Sequence, residues 1–108
     1  MKKILVLGAG AMGSAFTVPC LDNQNFVSLV GTHLEDKFID QMMQNDNFHP
    51  ILNCKLPNKL ELRKFEKFAE EFKKKPDLIV LGVNSKGIDW AGNEIAKYYS
   101  PEIPILLL

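Results

Sequence analysis

The chain has 108 residues, room for one domain with one packed core and little for a complete two-substrate enzyme, since domains cluster around roughly 100–150 residues. Thirteen basic residues balance thirteen acidic ones, which leaves no electrostatic footprint for nucleic acid or an anionic membrane; the expected partner is a small molecule. No segment approaches the roughly 20 apolar residues that span a bilayer, the apolar run after Met1-Lys2-Lys3 stops at Gly8 without a signal-peptide core, and Cys20, Cys54, His33 and His49 share no metal or redox spacing, so the protein reads as cytoplasmic, metal-free and reduced, with both cysteines packed.

The first element organises the rest. Ile4-Leu5-Val6-Leu7 is a short apolar run, and Gly8-Ala9-Gly10-Ala11-Met12-Gly13 follows at G-x-G-x-x-G spacing before helix-forming residues. Strand, tight turn and helix is the context in which this pattern marks dinucleotide binding. Gly8 can take the positive φ of a sharp turn, Gly10 has no side chain to hold a pyrophosphate off the backbone, and Gly13 lets the helix pack closely on the strand. The amides at the helix start carry the positive end of the macrodipole, roughly half an elementary charge, so the turn binds an anion without a basic side chain. A glycine turn used for packing alone is the competing reading.

The first helix is expected over residues 11–21, with Ala15, Phe16, Val18 and Leu21 toward the core and a kink or early end at Pro19. Asp22-Asn23-Gln24-Asn25 makes a polar loop, and Phe26–Val30 forms the second strand, closing a right-handed β-α-β unit. After this strand an acid normally binds the adenosine ribose and repels a 2′-phosphate. Thr32 and His33 stand there instead, after Gly31. Thr32 can donate a hydrogen bond and His33 can donate one or offer a positive charge, so the cofactor expected is NADP or NAD, with NADP favoured. Alternatively, both lie on a solvated turn and Glu35 or Asp36 caps the next helix.

That helix is expected over residues 35–44, with Phe38, Ile39, Met42 and Met43 as its apolar stripe. A long irregular connection follows through Pro57-Asn58, in which His49-Pro50 reads as a turn. Leu60–Arg63 is a short edge strand, and Phe65, Phe68, Ala69 and Phe72 mark an amphipathic helix closed by Lys73-Lys74-Lys75. Leu78–Val83 is continuously apolar, as a strand buried on both faces must be. In a doubly wound parallel sheet ordered 3-2-1-4-5, the loop after it lies beside the glycine turn, across the crevice where ligands bind. Val83, Asn84 and Ser85 are therefore placed at the nicotinamide end, with Ser85 as an alternative helix cap. A last helix is expected over residues 89–99, with Ala91, Ile95, Tyr98 and Tyr99 toward the sheet, Trp90 at its rim and Ser100-Pro101 as its stop. Residues 103–108 enter another buried strand, and a chain that stops inside one reads as a fragment.

The pattern Gly8-Ala9-Gly10-Ala11-Met12-Gly13-Ser14-Ala15, Gly31-Thr32-His33, His49-Pro50 with Leu56-Pro57, and Leu81-Gly82-Val83-Asn84-Ser85-Lys86-Gly87 resembles the N-terminal domain of NAD(P)-dependent glycerol-3-phosphate dehydrogenases. The resemblance covers essentially all of the chain. It implies a Rossmann-type α/β fold with helices on both faces, and hydride transfer between NAD(P)H and dihydroxyacetone phosphate to give sn-glycerol 3-phosphate for phospholipid synthesis. It also implies cofactor contacts from Ala11, Met12, Thr32 and His33. The family's substrate-binding and proton-transferring lysines lie in a Lys-Gly loop after the last strand and in a helical second domain, so no catalytic residue is expected among residues 1–108, and a homodimer is left open for a longer protein. The competing functions are another 2-hydroxyacid or ketoacid dehydrogenase domain, a nucleotide-sensing regulatory module and a methyltransferase; the last two normally use the acid that is missing after the second strand.

Overall fold

In the computed structural model, which describes residues 1–98 and 102–108, the elements in chain order are β1 (Lys3–Leu7), α1 (Ala11–Asp22), β2 (Phe26–Val30), α2 (Asp36–Gln44), β3 (Phe48–His49), β4 (Cys54–Lys55), β5 (Glu61–Arg63), α3 (Phe68–Lys73) after a 3-10 turn at Phe65–Lys67, β6 (Leu78–Leu81), α4 (Ile88–Ala96) and β7 (Ile105–Leu107). Five strands form one parallel sheet in the order β5-β2-β1-β6-β7, the expected 3-2-1-4-5 arrangement. Leu7 stands level with Val30 on one side and Leu81 on the other. Each of these three strands therefore ends at the same height and runs into a glycine, Gly8, Gly31 or Gly82.

The apolar runs are buried on both faces because the pleat sends alternate side chains to opposite sides. Ile4 and Val6 join Val27, Leu29, Leu62 and Val80 under α1 and α2, with Ile39 and Met42 of α2 packed in. Leu5 and Leu7 join Val30, Ile79 and Leu81 under α3 and α4, against Phe68, Phe72, Ala91 and Ile95. Helices thus cover both faces. Leu7 is fully buried, and Leu7→Ala would cost about 2–5 kcal/mol in lost transfer energy and cavity.

Several expectations change. The buried face of α1 is Gly13, Ser14, Thr17 and Cys20; Ala15 is exposed, while Phe16, Val18 and Leu21 pack only partly. Small residues let the helix sit close to the sheet, and the two hydroxyls stay inside because each has a carbonyl: Ser14 donates to Ala9 O (3.0 Å) and Thr17 to Ser14 O (2.6 Å). Pro19 does not end the helix. It lies on the exposed side in the last turn, and its carbonyl accepts both the backbone N–H (3.1 Å) and the side-chain amide (2.8 Å) of Asn23, closing the end.

The stretch after α2 is an antiparallel ribbon, β3 on β4, rather than an irregular connection. Asp46, Asn47 and Asn53 adopt positive φ, which Asn and Asp tolerate well, and these turns bring the strands together. Cys54, on β4, is exposed, and Met43 of the expected α2 stripe is 46% exposed. β7 is not a buried strand: Ile105, Leu106 and Leu107 are 43%, 39% and 55% exposed, because β7 is the sheet edge. The expected places of Tyr99 and of the stop at Ser100-Pro101 fall outside the described residues.

Candidate functional site

At the carboxyl ends of β1 and β6 and the first turn of α1, three glycines interlock. Gly8 turns the chain with φ +111°, and a Cβ on it would lie 2.5 Å from Gly82 O. A Cβ on Gly13 would lie 2.5 Å from Gly8 O, and one on Gly82 would lie 2.7 Å from Gly13 Cα. No side chain fits any of the three positions. Gly10 differs: its φ of −65° and ψ of 179° suit any residue, and a Cβ there would meet only Gly82 O, at 3.9 Å. The fold itself makes no demand for glycine at position 10. No side chain caps α1, whose first residues follow Gly10 directly, and Ser14 N–H donates to Gly10 O at 3.0 Å.

The turn is held by side chains from three directions. Gly8 N–H donates to Val30 O at 2.8 Å. Ala9 N–H donates to Glu35 Oε1 at 3.0 Å, and the same oxygen accepts Thr32 N–H at 2.8 Å. Ala9 O accepts Ser14 Oγ–H at 3.0 Å and the Nε2–H of His49 at 2.9 Å. The His49 tautomer follows from its other nitrogen, since Nδ1 accepts Leu52 N–H at 3.2 Å. His49 is fully buried with Phe38 edge-on at 5.1 Å. The His49-Pro50 pair is thus more than a turn; its imidazole braces the glycine loop from below.

Above these contacts lies a cavity of about 740 Å³. Gly8, Gly10, Ala11, Met12, Thr32, His33, Val83 and Asn84 line it; Gly13 and Ser85 do not. Gly13 is buried beneath, in contact with Gly82. Ser85 is exposed and caps nothing: Asn84 Oδ1 accepts Gly87 N–H at 3.0 Å, closing the turn before α4, which has no side-chain cap. Thr32 Oγ1 accepts Leu34 N–H at 3.3 Å, leaving the hydroxyl proton to donate. His33 leans on Trp90, ring centroids 4.4 Å apart, and Trp90 on Phe65 at 4.9 Å, an aromatic wall along one side.

Glu35, Lys86, Gly82 and Trp90 also line the cavity. Glu35 is not a cap, since α2 has no side-chain cap bond. An acid soon after a second strand that lacks one at its end was the available signal. Gly82 was legible as a glycine inside an apolar strand run, the usual mark of a close backbone approach. A second cavity, about 630 Å³, lies at the amino ends of β1 and β2, beside the buried Glu71 and its partners Ser28 and Lys74. Among the described residues no cluster of three metal-ligating side chains exists, and no helix is long and apolar enough to cross a membrane.

No protein-family model matches the chain. Over 96% of its length it is 32% identical to the NADP(+)-dependent glycerol-3-phosphate dehydrogenase of Archaeoglobus fulgidus. The chain spans 30% of that protein. A glycerol-3-phosphate dehydrogenase structure from Coxiella burnetii superposes with a TM-score of 0.80 over 98% of this chain and 31% of that one, at 19% identity. A putative 2-dehydropantoate 2-reductase from Enterococcus faecalis gives 0.72 over 98% and 33%, at 23% identity. The fold is Rossmann-like. The sequence resemblance to glycerol-3-phosphate dehydrogenases is met by the Archaeoglobus relative, and this Rossmann-like domain corresponds to about a third of each of these three proteins.

Proposed function

We propose that this domain binds NAD(P)(H), and that it serves as the cofactor-binding part of an NAD(P)-dependent glycerol-3-phosphate dehydrogenase. The observation that carries this reading is the space at Gly10: a glycine the backbone does not need, at the uncapped start of α1, on the wall of a cavity at the switch point of the sheet. A dinucleotide's pyrophosphate fits such a place, because it needs close backbone approach and free amides rather than basic side chains. Gly10, Ala11 and Met12 would hold the diphosphate, Thr32 and His33 the adenosine ribose, and Val83 and Asn84 the nicotinamide end. The bound nicotinamide supplies or accepts a hydride.

Within this reading the chain's own residues orient and exclude. Glu35, His49 and Ser14 fix the Ala9 peptide so that the loop is formed before ligand arrives, which lowers the ordering cost of binding. The Gly82–Gly13 contact sets the depth of the cleft floor. Reduction of dihydroxyacetone phosphate, cytoplasmic location and a role in phospholipid synthesis extend the same proposal to a longer protein, supported by the 32% identity with the Archaeoglobus enzyme. Calorimetric titration of the 108-residue chain with NADH, NADPH and S-adenosylmethionine tests it. Binding of a nicotinamide dinucleotide, tighter for NADPH and absent for S-adenosylmethionine, is expected; binding of S-adenosylmethionine alone would overturn it. The chain alone is expected to show no substrate-dependent NADPH oxidation.

A further inference from the structure

The amino end of the sheet is left open on one side by the shortness of its edge strand. β5 begins at Glu61, level with Ser28, so Phe26 and Val27 of β2 have no neighbouring strand on their outer side. The 630 Å³ cavity occupies this step, within the roughly 300–1,000 Å³ range of small-molecule sites. Ile4 and Val27, both buried, line it, and the Phe26 ring beside them stays 57% exposed. The charged groups on its wall are not balanced. Its two carboxylates each have a cation of their own: Glu61 is held by Arg63 at 2.8 Å and Glu71 by Lys74 at 2.6 Å. Lys3 and Lys59 have no carboxylate. Lys3 Nζ donates only to Lys74 O, at 3.3 Å, and the Lys59 and Gln24 side chains, also on the wall, have no partner among the described residues. An ammonium carries three donors, so this wall presents unspent donors and unneutralised positive charge beside an apolar floor.

We propose that this cavity binds a small anionic amphiphile, with its carboxylate or phosphate head taken by Lys59 and Lys3 and its apolar body lying along Phe26 and Val27. An exposed ion pair is worth little in water, so the apolar body supplies most of the affinity and the two lysines select the sign of the head. The site lies at the opposite end of the sheet from the glycine loop and stands whether or not the cleft there holds a dinucleotide.

Amide chemical-shift mapping of the 108-residue chain with decanoate, decyl phosphate and decyltrimethylammonium tests this, since the three probes share a tail and differ in the head. At least one of the two anions should shift the amides of residues 24–28 and 59–61 saturably, the tighter one naming the head group, while the cation leaves them unmoved. Lys59→Glu changes an exposed side chain and should leave the melting temperature as it is. It should weaken the anion about tenfold, because an attraction becomes a repulsion, and should let the cation bind. Phe26→Ala should weaken the anion without changing the preference for its sign. Equal shifts from anion and cation in the parent chain, an anion affinity unchanged in Lys59→Glu, or saturable shifts from neither anion would overturn the assignment. So would concentration-dependent shifts of the same amides without any probe, which would give the surface to a second copy of the chain.

Discussion

Replacing Gly10 by alanine separates the demands of the fold from those of a ligand. The backbone at position 10 has φ −65° and ψ 179°, open to any residue, and the new methyl would meet Gly82 O at 3.9 Å, an ordinary contact. Alanine restricts the unfolded chain more than glycine does, so Gly10→Ala should leave stability unchanged or raise it by up to about 1 kcal/mol. For a domain of this size that is a rise in Tm of roughly 0–8 °C. A pyrophosphate drawn against the amides after Gly10 would meet that methyl, and losing one charge-assisted hydrogen bond costs about 1.5–3 kcal/mol, so affinity for NADPH should fall by about 10–100-fold. Gly13→Ala is the contrast. Its methyl would stand 2.5 Å from Gly8 O, backbone against backbone, and overpacking of this kind costs about 1–3 kcal/mol or more. Thermal melts and calorimetry on the two variants check the pair. A Gly10→Ala chain that binds NADPH like the parent, or one that melts like Gly13→Ala, would refute the reasoning.

Three further outcomes follow. His49→Ala should lower stability by about 2–4 kcal/mol, since it opens a cavity and strips Leu52 N–H of its acceptor; His49→Gln, which can still donate toward Ala9 O, should lose less, and equal losses in a denaturant titration would contradict the bracing role. Thr32→Asp should shift the NADPH-to-NADH affinity ratio toward NADH by about fivefold, the ~1 kcal/mol repulsion of unit charges about 4 Å apart in water; an unchanged ratio would mean that residue 32 does not face the adenosine. For the buried Glu71, burial raises the carboxyl pKa, but hydrogen bonds from Lys74 and Ser28 and the charges of Lys74 and Arg63 outweigh it, holding the pKa below its ordinary value of 4.5. A depressed folded-state value stabilises above the unfolded pKa and is lost as pH falls through the folded one. Melting temperature should therefore drop as pH falls below about 4.5, less steeply in Glu71→Gln; parallel profiles would contradict it.

The sheet and its helices were legible because their signals are local. Ile4–Leu7 and Leu78–Leu81 are apolar runs that only a doubly covered strand can use, and the glycine pattern marks the turn between β1 and α1. What escaped depended on partners distant in sequence. His49 reads as a turn residue until the ribbon of β3 and β4 carries its ring beneath Ala9. Glu35 reads as a cap until its carboxylate is seen to prefer two amides in the cleft to the start of its own helix. Ser14 and Thr17 were passed over for the buried face of α1 although their acceptors, Ala9 O and Ser14 O, lie within five residues; what selects small side chains there is the close packing of the helix on the sheet. The exposure of β7 depends on its edge position, which strand hydropathy does not encode.

Amide chemical-shift mapping of the 108-residue chain during titration with NADPH tests most directly whether the first loop grips a diphosphate. The largest shifts should fall on Gly10, Ala11, Met12 and Gly13, with a second set at Thr32 and His33. Shifts confined to the cavity beside Ser28 and Glu71, with the glycine loop unmoved, would contradict the account.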